Sequence, residues 1–95
     1  MPFEWHTKKA DSNFEKHGVS FEEAVTAFDD PNSFHRQDRA HSIGEQRYIC
    51  VGFSIQGRLL TVAYTERTGD ITRIISAREA DAGEQRVYER QDYDS

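Results

Sequence analysis

Arg67 to Arg78 read R-T-G-D-I-T-R-I-I-S-A-R, and Leu59 to Glu66 before them read L-L-T-V-A-Y-T-E. In the leading stretch Leu60, Val62 and Tyr64 fall on one side of a strand, and Leu59, Thr61 and Ala63 on the other. Thr68-Gly69-Asp70 is turn chemistry, and Ile71 to Ala77 returns as a second strand. The hairpin carries Arg67, Arg73 and Arg78 around one turn and one strand. A guanidinium is a planar fork that matches phosphate oxygens, so this hairpin is the first candidate site.

Upstream, Arg47, Ile49, Val51, Phe53 and Ile55 alternate with Tyr48, Cys50, Gly52 and Ser54, and Gln56-Gly57 supplies a hairpin turn. The three strands form a meander. A short strand at Ser33–Gln37 and a polar loop to Gln46 precede it. Two helices come before that. Thr7 is placed to cap the first, which runs to about Lys16 with Ala10, Asn13, Phe14 and His17 at helical spacing, and Gly18 ends it. Ser20 with Glu23 is a capping box for the second, with Val19 against Ala24 as its staple. Phe21, Ala24, Val25 and Phe28 give that helix one apolar face, and D-D-P-N at 29–32 stops it. Phe3–Trp5 reads as a short strand or apolar anchor. Asp81 with Glu84 opens a last helix to about Gln91, with Val87 and Tyr88 toward the sheet and Gly83 allowing close approach. The expected class is α+β: two N-terminal helices, a mainly antiparallel sheet and a closing C-terminal helix.

At 95 residues this is one domain, 1–95, with 36 % hydrophobic and 31 % charged residues and enough aromatics for a core. Cys50 is the single cysteine, so no intrachain disulfide forms, which suits a reducing compartment. No apolar run reaches the roughly 20 residues of a membrane span, and M-P-F-E-W-H lacks a signal-peptide layout. A cytoplasmic protein is expected. The net charge of −5 is unevenly spread: −4 over residues 1–46, +3 over 47–78 and −4 over 79–95. A basic sheet between acidic flanks suits a small anionic site better than a general coating of DNA.

The candidate chemistry has two readings. Arg67 and Arg78 sit at the ends of neighbouring strands, and in a regular strand Arg73 lies on the face opposite Arg78. They either clamp a phosphate or pair with the many nearby acids, Glu66, Glu79 and Glu84 among them. Lys9 and Lys16 share a face of the first helix with His17 beside them; they either serve phosphodiester chemistry or are simply solvated. The histidines at 6, 17, 35 and 41 make no metal motif, and no nucleotide-binding glycine loop is present, so neither metal nor cofactor is expected.

F-E-W-H-T-K-K-A-D-S-N-F-E-K-H-G-V-S-F-E-E-A, F-D-D-P, G-E-Q-R-Y, V-G-F-S and R-I-I-S-A-R-E-A, in this order and spacing, resemble the BrnT family of type II toxins. The match runs from about Phe3 to Glu89; the family usually has Asp where this chain has His6. The resemblance implies a RelE-like fold and a ribonuclease held inactive by a BrnA-type antitoxin, with operator DNA reached only through that complex. It places activity on the basic face of the sheet, at positions matching Lys9, Arg67 and Arg78, with His17 and Arg73 beside them; Lys16 joins them as a substrate-binding candidate from its helix face alone. A mechanism consistent with both the residues and the resemblance is metal-free cleavage by the RNA's own 2′-hydroxyl, with Arg67 and Arg78 stabilising the transition state. An unperturbed lysine is a poor base at neutral pH, so proton transfer by Lys9 requires a special environment. A binding module without catalysis is the competing function.

Overall fold

The structure is a computed structural model that describes residues 2–94, with side chains to Gln91. In chain order the elements are β1 (Phe3–Glu4), α1 (Thr7–His17), α2 (Phe21–Thr26), β2 (Phe34–Gln37), β3 (Tyr48–Phe53), β4 (Leu59–Arg67), β5 (Ile71–Glu79) and α3 (Ala82–Asp94). Single 3₁₀ turns follow α2 and β2. The sheet order is β1-β5-β4-β3-β2. The last four strands pair antiparallel in sequence, as the alternation predicts, while β1 adds in parallel at the β5 edge and makes the sheet mixed. The α+β reading holds.

Alternation puts two apolar sets on opposite sides of the sheet. Cys50, Leu60, Val62, Tyr64, Ile74 and Ala77 face Val19, Phe21, Ala24 and Ala27 of the α1–α2 region. Ile49 and Val51 cluster on the other side with Ala80 and Tyr88, joined by Phe34 and Leu59. Among the described residues of α3 Tyr88 is the buried one; Val87 is exposed, contrary to expectation. Gly83 is not the close-approach glycine either, since a Cβ there meets nothing nearer than the Asp81 carboxylate at 3.4 Å. Gly52 is, because a Cβ at that position lies 2.6 Å from the Ala27 carbonyl oxygen.

The helix ends follow the sequence in most respects. Gly18 takes φ 68° and its N–H bonds the Phe14 carbonyl. The residue before α1 is His6, not Thr7, and it makes no side-chain cap. Asp81 and Glu84 form the full reciprocal box, Glu84 N–H to Asp81 Oδ1 at 2.8 Å and Asp81 N–H to Glu84 Oε1 at 2.9 Å. The Ser20 box is only half made. Ser20 Oγ accepts the Glu23 N–H, but the buried Glu23 carboxylate turns away to Arg58 and to the Ser54 hydroxyl. Arg58 also donates to the Gly18 carbonyl at 3.0 Å, so one guanidinium ties the β3–β4 turn to both helices.

The placement of α1 depends on Asn13. Beyond the short β1, the β5 edge has no strand neighbour, and an unpaired backbone amide there costs about 1–3 kcal/mol if buried. Asn13 Oδ1 accepts the Ala77 N–H at 3.0 Å, and its Nδ2 donates to the Ala77 carbonyl at 2.8 Å and to the Val19 carbonyl at 3.0 Å. The buried residue of α1 is therefore Asn13, while Phe14 is 55 % exposed. No helix among the described residues is long and apolar enough to cross a membrane. Asn13→Leu keeps the volume and strands three buried polar groups. We expect it to lower unfolding free energy by about 3 kcal/mol, read from urea denaturation, with the slope unchanged.

Candidate functional site

A β-bulge decides which arginines share a face. Ala63 pairs with Ser76 and Tyr64 with Ile74, so Ile75 is an extra residue in β5. The extra residue resets the alternation. Arg73 then falls opposite Thr65, Ser76 opposite Ala63 and Arg78 opposite Thr61, all on the face that α3 partly covers. The expectation for a regular strand, with Arg73 and Arg78 on opposite faces, is corrected by this one residue. Ser76 lies between the two arginines on that face.

Arg67 stands apart. It pairs with Ile71 at the turn end of the hairpin, whereas Arg78 pairs with Thr61, six residues back along β4. At about 3.4 Å per residue that is a separation of about 20 Å. Arg67 and Arg78 therefore do not grip one phosphate together.

Each arginine of the hairpin has a carboxylate neighbour. Arg78 makes a two-pronged contact with Glu84, Nη1 to Oε1 at 2.8 Å and Nη2 to Oε2 at 3.0 Å. Arg73 Nε lies 2.5 Å from Glu4 Oε2, its register partner on β1. Arg67 has only a 4.0 Å approach to Glu45, with both side chains 44 % exposed. Glu84 is the most engaged acid, accepting also from the Thr61 hydroxyl at 2.9 Å. Burial alone raises its pKa, but Arg78, the Asp81 N–H and the Thr61 hydroxyl outweigh burial and hold it at about 2.

The basic flank of α1 does converge. Lys9, Ser12, Asn13, Lys16 and His17 line a pocket of about 210 Å³ together with Ile75 and Ser76. Among the described residues Lys9, Lys16 and His17 enter no ion pair. Ser76 belongs to both features: it sits between Arg73 and Arg78 on the sheet face and borders the α1 pocket at the sheet edge. The pocket and the arginine row are thus continuous around the β5 edge, with the bulge at their junction.

Two further arginines lie on the same face. Arg36 pairs with Ile49, in the row of Ala63 and Ser76, and the β3–β4 register continued by one residue sets Arg47 opposite Thr65, in the row of Arg73. Arg47 Nε is buried without a hydrogen-bond partner. The alternation of Arg47 with Ile49 and Val51 was a signal for it; Arg36 had none, because only the β2–β3 register assigns its face.

Other titratable groups are occupied elsewhere. His35 Nδ1 and the Tyr64 hydroxyl share a hydrogen bond of 2.8 Å, and burial pushes the tyrosine up to about 12 and the histidine down. His41 pairs with Asp38 in the exposed loop. Burial raises the Cys50 thiol to about 12. Among the described residues no three His, Cys, Asp or Glu side chains are grouped to hold a metal ion.

The family model described as ribonuclease toxin, BrnT, of type II toxin–antitoxin system matches residues 5–84. The fold is similar to the crystal structure of the Brucella abortus ribonuclease toxin BrnT. The TM-score is 0.67 at 19 % identity, over 85 % of this chain and 97 % of that one. No curated protein sequence matches significantly.

The Glu84 contacts set a pH dependence. Its folded-state pKa is depressed from 4.5 to about 2, so its contribution to stability is complete above about 4.5 and is lost as pH falls toward about 2. Urea midpoints measured across that window should fall with pH, and Glu84→Gln should flatten the fall while lowering the midpoint at neutral pH.

Proposed function

We propose that this chain, which belongs to the BrnT family of ribonuclease toxins of type II toxin–antitoxin systems, cleaves RNA at the β5 edge around Ser76. The observation that carries this reading is the meeting of Lys9, Lys16 and His17 with Ser76 in one pocket, continuous with Arg73 and Arg78 on the sheet face. In the reaction the 2′-oxygen bonds to the adjacent phosphorus and the bond from phosphorus to the 5′-oxygen breaks. A 2′,3′-cyclic phosphate and a 5′-hydroxyl result. One proton leaves the 2′-hydroxyl and one reaches the departing 5′-oxygen. The pocket supplies an imidazole, His17, for proton transfer, and Lys9 for the charge that builds on the non-bridging oxygens. Arg78 adds to that charge stabilisation once RNA phosphate competes with Glu84 for its guanidinium.

Lys16 and Arg73 hold flanking phosphates. Arg67, about 20 Å along the sheet, moves in this reading from transition-state stabiliser to a distant backbone contact. Arg36 and Arg47 join it as contacts that position the strand. The chain's partner is a BrnA-type antitoxin, operator DNA is reached through that complex, and the site of action is the cytoplasm, with a RelE-like layout in which the open sheet face takes RNA. A second reading is supported by the Arg78–Glu84 contact, which matches a structural rather than a catalytic arginine. In it the chain is a binding module without catalysis.

One experiment separates them: purified RNA, free and on ribosomes, is offered to the protein with chelator present, beside a DNA copy. The enzyme should leave 2′,3′-cyclic ends on RNA and none on DNA. Lys9→Ala and Arg78→Ala, shown folded by circular dichroism, should each slow cleavage by about 100-fold or more, and Arg67→Ala by about tenfold at most. Cleavage of DNA at a similar rate, or loss of activity to the chelator, overturns the mechanism. Intact RNA in both forms selects the binding module.

A further inference from the structure

The opposite flank of α1 has a different character from the flank that lines the Ser76 pocket. At 3.6 residues per turn, Thr7, Ala10, Asp11, Phe14 and Glu15 lie roughly across the helix from Lys9 and Lys16. They open onto α2 through a groove of about 620 Å³, with Trp5 and Phe21 in its wall and Glu22 on its far rim. Trp5 meets Phe21 edge to face at 5.9 Å, which fixes the apolar wall, and Phe14 protrudes beside it at 55 % exposure.

The rim is acidic. Among the described residues Asp11, Glu15 and Glu22 enter no ion pair, although Lys8 lies three residues before Asp11 and Lys9 and Lys16 lie on the other side of the same helix. Asp11 and Glu15 are four apart, so they repel across one helical turn, a small cost that a cation brought from outside would relieve. The carboxylates are not grouped to hold a metal ion. Their field repels RNA, so this side is unsuited to the substrate.

We propose that the α1–α2 groove is the docking site for the protein antitoxin that membership of a type II toxin family implies. It takes a segment of that partner carrying a bulky apolar side chain flanked by lysines or arginines. The apolar anchor lies against Phe14 and Trp5, and the flanking cations meet Glu15, Asp11 and Glu22. This rests on the reading of the chain as the toxin of such a pair, but not on its catalytic mechanism. Antitoxin and RNA then occupy opposite flanks of one helix.

The test is titration calorimetry of the full chain with its cognate antitoxin, at two salt concentrations, with RNA cleavage measured on the same preparations. The variants are Phe14→Ala and the double variant Glu15→Lys/Glu22→Lys, all at exposed positions, with Glu89→Lys on α3 as control. Each groove variant should lose about tenfold or more in antitoxin affinity, and the control none. The double variant should also lose most of the salt dependence, while cleavage by all variants matches wild type. Affinity within about twofold of wild type in both groove variants, or no antitoxin binding by wild type, overturns the proposal. Groove-dependent binding by a chain that cleaves no RNA would leave this site standing and sink the catalytic reading. Cleavage with groove-independent binding would do the reverse.

Discussion

A single buried amide sets the relation between helix and sheet on which both proposed surfaces depend. The free edge of β5 presents the Ala77 N–H and carbonyl, and Asn13 satisfies both while its Nδ2 also donates to the Val19 carbonyl just before α2. A strand neighbour would satisfy the same groups but would exclude the helix from the edge. Asn13 lets α1 lie along the edge instead. That placement brings Lys9, Lys16 and His17 beside Ser76, and it turns Phe14 outward toward the α2 side. An apolar residue at position 13 offers no such register, because hydrophobic contact has no direction.

The bulge at Ile75 is the second constraint, and it acts on the same short stretch. Without it Arg73 and Arg78 face opposite sides of the sheet, and the basic row divides. With it Arg73, Ser76 and Arg78 line up on one face. Bulges re-aim side chains at the cost of a ladder position, and the cost here falls where β5 has lost its outer neighbour anyway. Asn13 bonds Ala77, two residues beyond the bulge, so the irregular segment is held on its open side. Glu84 holds it from the other side through Arg78 while capping α3 and bonding Thr61. One carboxylate thus fixes the end of a strand, the start of a helix and the orientation of an arginine.

Much of this architecture is legible in the residues, and what escapes has a physical reason. The meander follows from period-two alternation at Leu59–Glu66 and its neighbours, and the helix ends from Gly18, Ser20 and Asp81, because these are local preferences of the chain. Asn13 in place of Phe14 as the buried residue of α1 is not legible: helical spacing treats Phe as core, and only the unpaired β5 edge makes an amide the better buried group. The inward turn assigned to Val87 fails for a related reason, since among the described residues of α3 it is Tyr88 that the contact with the sheet buries. The site divides in the same way. Lys9, Lys16 and His17 share a helix flank that spacing reveals, whereas the faces of Arg73 and Arg36 depend on strand register and a bulge that no single-strand pattern contains. The wide separation of Arg67 from Arg78 is likewise a matter of register: being close around a turn in sequence does not keep hairpin residues close when one of them is at the far end of its strand.

The net charge of −5 is then the sum of two surfaces of opposite sign. Charges of one sign gathered on one flank raise the local potential above what the total suggests, and low-dielectric side walls focus it. On α1 the sign changes within half a turn, from Lys9 and Lys16 to Asp11 and Glu15, a distance comparable to the screening length of about 8 Å at physiological salt. Each flank therefore presents a field in which the other's charges are partly screened. A polyanion is drawn to the Ser76 side and turned away from the groove, and a cationic segment experiences the reverse. An acidic total charge also limits adventitious capture of nucleic acid by the rest of the surface, so the basic edge of β5 can select an anion without competition from the protein's own exterior.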